Sequence, residues 1–96
     1  MGLQIENGVL KRYTEELEVV IPDGVTEIDL YAFEDCKNLM SVVLPESITA
    51  IGESAFEDCS SLTSIVIPDS VTKIGEKAFK GCRSLTNIVL PDGFEF

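Results

Sequence analysis

Three cysteines, Cys36, Cys59 and Cys82, stand 23 residues apart in a chain of 96 residues that contains no histidine. Structural zinc usually takes four Cys or His ligands, and three thiols without an imidazole fall short of that set. A histidine-based catalytic triad or dyad has no base to work with. An odd number of thiols cannot pair completely into disulfides. The even spacing reads instead as one interior slot filled three times by a reduced, buried thiol, unlike the electropositive helix start that activates a cysteine nucleophile.

Carboxylates are the other candidates for chemistry. Asp23, Glu46, Asp69 and Asp92 each follow a proline. Stacked at about 5 Å, the spacing of neighbouring strands, they would offer oxygen ligands of the kind Ca²⁺ prefers. Proline followed by an acidic residue is also ordinary turn chemistry, and calcium loops converge several ligands on one point. No metal and no cofactor are assigned. Glu34–Asp35 and Glu57–Asp58, replaced by Lys80–Gly81 in the third copy, read as a solvated edge. Glycoside hydrolysis needs acids opposed across a cleft, whereas these sit at turn and surface slots. "GESAF" and "GEKAF" lack the spacing of a phosphate loop. The sequence reads as non-catalytic.

The elements that position these residues follow from an internal repeat. Prolines fall at 22, 45, 68 and 91, Ala-Phe pairs at 32–33, 55–56 and 78–79, and Leu39, Leu62 and Leu85 keep step. Residues 46–68 and 69–91 agree at 14 of 23 positions, and 23–45 agrees with 46–68 at 11. A unit this short cannot enclose a core, so the copies must stack, each covering its neighbour's apolar edge. "LTSIVIP" predicts a short strand with Leu62, Ile65 and Ile67 inward and Ser64 and Val66 outward. Repeated strands of this kind lie parallel and in register, and each proline closes its strand. "VTKIG" predicts a second extended piece with Val71 and Ile74 inward. Gly75 and Gly52 are expected at positive φ, with Asp29 in the same slot of the earlier copy. "EKAFKGC" predicts one tight helical or 3₁₀ turn that drops Ala78, Phe79 and Cys82 into the core.

Asn7-Gly8 between extended residues is a strong hairpin signal. It predicts that Ile5 faces Leu10, that both share a face with Leu3, and that the hairpin lids the first coil. The chain thus divides into residues 1–21, a hairpin cap and first strand; 22–91, three 23-residue repeats; and 92–96, a truncated repeat or makeshift lid. For that last stretch the alternatives are a fragment boundary, Phe94 and Phe96 folding back, or cover from another molecule.

Net charge is −10, which argues against a nucleic-acid partner, since phosphate binding requires clustered Lys and Arg. Residues 1–58 hold 13 acids against Lys11, Arg12 and Lys37, while 59–96 hold four of each sign. That imbalance serves solubility or steers a basic partner. No apolar run approaches the roughly 20 residues of a membrane helix, and "MGLQIENGVLKRY" lacks the pattern of a signal peptide.

The repeat resembles the leucine-rich repeats of the BspA-like family. The matching residues are Leu62, Ile65, Ile67, Pro68, Val71, Ile74, Gly75, Ala78, Phe79 and Cys82; Ile48, Ile51, Gly52, Ala55, Phe56 and Cys59; and Val25, Ile28, Ala32, Phe33 and Cys36. Asp29-Leu30-Tyr31 departs from it. The resemblance implies a mostly β solenoid with a parallel sheet on its concave side. It further implies a secreted or cell-surface setting and a role as an adhesin or interaction module for host or cell-surface proteins. Glu18, Val20, Ser41, Val43, Ser64, Val66, Asn87 and Val89, the outward positions of the concave strands, are then the candidate partner-binding residues. Valine also suits any pleated surface, but four stacked valines form a contiguous patch. The alternative is a homodimer, formed through the same valines or through the open C-terminal coil.

Overall fold

The computed structural model describes residues 3–13 and 17–91. The expected lid residues Phe94 and Phe96, the acid Asp92 and the side chain of Leu3 lie outside the described positions. Among the described residues nine strands follow one another: β1 (Leu3–Glu6), β2 (Val9–Tyr13), β3 (Glu18–Val20), β4 (Glu27–Ile28), β5 (Ser41–Val43), β6 (Ala50–Ile51), β7 (Ser64–Val66), β8 (Lys73–Ile74) and β9 (Asn87–Val89). They form two sheets, β1-β2-β4-β6-β8 and β3-β5-β7-β9. Each coil gives one strand to each sheet, and all the inter-coil pairings are parallel. Partners such as Ile28, Ile51 and Ile74 stand one repeat apart.

Side chains at equal phase therefore stack into columns. Val19, Val42 and Ile65 form one, Val25, Ile48 and Val71 another, and Ala32, Ala55 and Ala78 a third, all buried. The Phe33 and Phe56 rings lie 4.8 Å apart and 12° from parallel, and Phe56 and Phe79 lie 5.5 Å apart at 2°. Such offset stacking satisfies the ring quadrupoles while burying large apolar area. The interior thins toward the last coil: Ile65 is 2% exposed, its equivalent Ile88 39%.

Asn7 and Gly8 adopt φ of 52° and 78°, as a two-residue type I′ turn requires. Ile5 pairs with Leu10, and a bulge shifts the register between Gln4 and Ile5. Leu10 is fully buried while Ile5 is exposed, so among the described side chains of the hairpin it is the second strand that fills the core. That strand pairs in parallel with β4, Leu10 against Ile28. It stands where a preceding coil would, and so caps the solenoid.

Between the sheets, the Ala-Phe-Cys segments form tight turns and no helix among the described residues. Amides bond three residues back, Ala32 to Asp29, Glu34 to Tyr31 and Cys36 to Phe33. Left-handed residues interrupt each run: Tyr31, Ser54 and Lys77 in one column, Asp35, Asp58 and Gly81 in another. They prevent consecutive turns from propagating into a helix. Amides of Tyr31, Phe33 and Asp35 instead reach the carbonyls of Glu53, Ala55 and Glu57 in the next coil.

Gly52 and Gly75 are not among the positive-φ residues, contrary to expectation. Close approach explains them. A Cβ on Gly52 would meet the backbone of Leu30, Asp29 and Ile28 at 2.7–2.9 Å, and one on Gly75 would collide with the backbone nitrogen of Glu53. Asp29 occupies the same slot where the preceding winding is β2, whose Leu10 carbonyl accepts its amide at 2.8 Å.

Candidate functional site

The four-stranded sheet alternates as its short strands require, with one residue inward and its neighbours outward. Val19, Val42 and Ile65 are buried, and Glu18, Ser64 and Asn87 are exposed, with Ser41 half-buried. The ladder pairs Glu18 with Ser41, Ser41 with Ser64 and Ser64 with Asn87. Val20 pairs with Val43, and Val66 with Val89. The eight residues selected from the sequence are thus two adjacent columns on one face. The valines are 70%, 56%, 61% and 51% exposed in chain order. So much uncovered β-branched surface in one row is unusual for scattered surface apolar groups.

A shallow depression of about 340 Å³ runs along the middle of this face, lined by Ser41, Val43, Glu46, Ser64, Val66 and Pro68 among others. Its floor is apolar and its polar groups are small hydroxyls plus one carboxylate at the rim. Such a surface can exclude water from an apolar partner and offer a few hydrogen bonds. It holds no acid–base pair.

Leu17 and Met40, immediately before β3 and β5, are apolar neighbours that were not selected from the sequence. Both are exposed, and the Met40 amide donates to the Leu17 carbonyl at 2.7 Å. The available signal is that the Met40 slot carries threonine in the later copies, at Thr63 and Thr86. The slot leading into this sheet is therefore apolar before β3 and β5 and carries threonine at the later copies.

The other candidates lie elsewhere. Asp23, Glu46 and Asp69 are exposed at the turns that close the strands, where Pro22, Pro45 and Pro68 accept the amides of Val25, Ile48 and Val71. Among the described residues, no three His, Cys, Asp or Glu side chains are grouped to hold a metal ion. Lys11 bonds Asp29 at 3.0 Å, and that hydrogen bond, with the carboxylate's charge, raises the Lys11 pKa. Lys37 approaches Asp35 at 3.4 Å in full solvent. No described helix is long and apolar enough to cross a membrane.

The cysteines form an interior column with graded exposure. Cys59 is buried and Cys36 and Cys82 are half-buried; none is in a disulfide. The Cys59 thiol donates to the Phe33 carbonyl at 3.1 Å and that of Cys82 to the Phe56 carbonyl at 3.0 Å. The neighbouring Cys36 and Cys82 thiols, reinforced by burial, push the Cys59 pKa up, while the nearby Cys59 thiol draws that of Cys82 down.

Residues 4–96 match the family model of the BspA type leucine rich repeat region. Three solved structures are similar to the chain. A leucine rich cell surface protein from Faecalibacterium prausnitzii shares 46% identity over 74% of this chain and 18% of its own, with a TM-score of 0.72. A leucine rich repeat protein from T. pallidum shares 38% over 91% of this chain and 44% of its own, at 0.84. One from Bacteroides ovatus shares 35% over 81% and 26%, at 0.55. This chain spans less than half the length of each. No curated protein shows significant similarity to it.

Proposed function

The chain belongs to the BspA-type leucine-rich-repeat family, and we propose that it is a non-catalytic protein-binding module. Its binding surface is the outer face of the four-stranded sheet, the side assigned as concave. The carrying observation is the uncovered row of Val20, Val43, Val66 and Val89 beside the polar row of Glu18, Ser41, Ser64 and Asn87. An apolar stripe flanked by small hydrogen-bonding groups matches the anatomy of a protein interface, with a dry centre and a polar rim. The partner is a protein on a host or neighbouring cell. This module works at the bacterial cell surface as one stretch of a longer repeat array, a reading supported by its similarity to a protein described as a cell surface protein.

The test is binding of the purified chain to a panel of purified extracellular-matrix proteins, measured by biolayer interferometry. A Val66→Asp change places a charge in the centre of the stripe and should weaken any interaction found at least tenfold. Glu27→Gln, on an exposed position of the other sheet, should leave it unchanged. If Val66→Asp keeps full affinity for every protein that the parent chain binds, the proposed face is wrong.

A second reading, self-association, is favoured by apolar surface beside β8 and β9. A depression of about 550 Å³ there is lined by Ile74, Phe79, Leu85 and Ile88 with Lys77 and Lys80 around it. Light scattering across a wide concentration range separates the two readings, since a strict monomer defeats this one.

A further inference from the structure

The interior cysteine column has a geometry that the binding role leaves unused. Equivalent residues of neighbouring coils are separated by about 4.8 Å, the spacing of paired strands. Beside the cysteines the two coils are held together by backbone hydrogen bonds, from the Phe56 amide to the Ala78 carbonyl at 2.8 Å and from the Asp58 amide to the Lys80 carbonyl at 2.7 Å. Disulfides form between residues with Cα atoms about 4.4–6.8 Å apart, a range that includes the spacing of adjacent coils. Cys36 and Cys82, two coils apart at about 10 Å by the same spacing, do not.

The sulfurs also lean between coils. The Phe56 carbonyl accepts the Cys59 amide at 3.3 Å and the Cys82 thiol at 3.0 Å. The Phe33 carbonyl accepts the Cys36 amide at 3.2 Å and the Cys59 thiol at 3.1 Å. Each thiol thus reaches over the cysteine of the coil before it. Cys59 is fully enclosed, while Cys82 is half-buried at the more open end of the core. We propose that Cys59 and Cys82 are a redox-active pair that closes into an inter-coil disulfide when the folded protein meets a low-molecular-weight disulfide.

The reaction balances as two successive exchanges. The Cys82 sulfur, deprotonated to solvent, attacks one sulfur of the small disulfide. A mixed disulfide forms, and one small thiolate leaves and takes up that proton. The Cys59 sulfur then attacks the Cys82 sulfur as its own proton is lost. The protein disulfide forms, and the second small thiolate leaves and is protonated. Two protein thiols lose two electrons in total, and one small disulfide is reduced to two thiols. Cys82 is the entry point because its half-buried sulfur is the more accessible of the two, and access governs such exchange. Cys36 keeps its thiol, because its adjacent partner is consumed. An oxidising compartment, where disulfides persist, is where such a staple would close.

The experiment incubates the folded chain with oxidised glutathione, quenches with iodoacetamide in denaturant, and maps cysteines by mass spectrometry. The expected result is a fall from three free thiols to one, with a Cys59–Cys82 bridge within one molecule and alkylated Cys36. Cys59→Ser should form no bridge while folded, yet bridge Cys36 to Cys82 when oxidised in urea. The wild-type map stands by itself should that variant fail to fold. Three thiols surviving, a main bridge other than Cys59–Cys82, or bridges between molecules would overturn the proposal.

Discussion

A methyl group added to Gly52 would stand 2.7 Å from the backbone nitrogen of Leu30 in the preceding coil. The two coils touch through backbone at that point, and the contact recurs one repeat later between Gly75 and Glu53. Backbone against backbone cannot relax by a side-chain rotation. Gly52→Ala should therefore lower the stability by about 1–3 kcal/mol, as overpacking does. Urea unfolding followed by circular dichroism measures it. An unchanged midpoint would show that the coils can separate locally at no cost.

Lys77 provides the opposite case. It is exposed and holds φ at 61°, a conformation that costs an L-residue about 1–2 kcal/mol. Glycine relieves that strain but adds freedom to the unfolded chain, costing about 0.5–1 kcal/mol. Lys77→Gly should be neutral or stabilising by up to about 1 kcal/mol in the same assay, a sign opposite to Gly52→Ala.

Phe56 is stacked on both faces, by Phe33 and Phe79, and is fully buried. Phe56→Ala should cost about 3–5 kcal/mol, the range for removing a core aromatic, and unfold much of the population of so small a domain. Among the described residues Phe79 stacks on Phe56 alone, and it is half-buried. Its replacement by alanine should cost clearly less, and comparing the two midpoints checks the ranking.

Val66 and Ile65 are neighbours in β7 with opposite fates. Ile65→Ala removes buried methyl groups and should cost about 2–5 kcal/mol. Val66→Asp changes an exposed site and should fall within about 0.5 kcal/mol of the parent. A large loss of stability in Val66→Asp would mean that the outer face supports the fold, and would weaken its assignment as a binding surface.

The Lys11–Asp29 pair predicts a pH effect of definite sign. Folding raises the Lys11 pKa above its ordinary 10.5. The folded state therefore holds the proton more tightly than the unfolded state. The resulting stabilisation is complete below 10.5 and is lost as pH climbs through the raised value. Lys11→Met should reduce the alkaline decline in thermal stability, and the difference between the two proteins across pH 9–12 reports it. The solvent-exposed geometry makes the effect small.

The repeat, its 23-residue length, the inward columns and the hairpin turn are all legible in the linear chain. These depend on periodicity and on local φ preferences, which a linear chain displays directly: Ile65 and Val66 alternate on the page as they do in the sheet. It also marked Gly52 and Gly75 as special, but for the wrong reason. Their role is contact with the preceding coil, and the left-handed conformations fall on Tyr31, Ser54 and Lys77, residues with no shared chemistry to betray them. The fold had to be seen to learn that Leu10 is buried while its partner Ile5 is not, that Leu17 and Met40 are exposed, and that the Cys59 and Cys82 thiols lean toward the coil before them. Burial and inter-coil contact depend on what lies one winding away. That neighbour is 23 residues distant along the chain, beyond the reach of local preference.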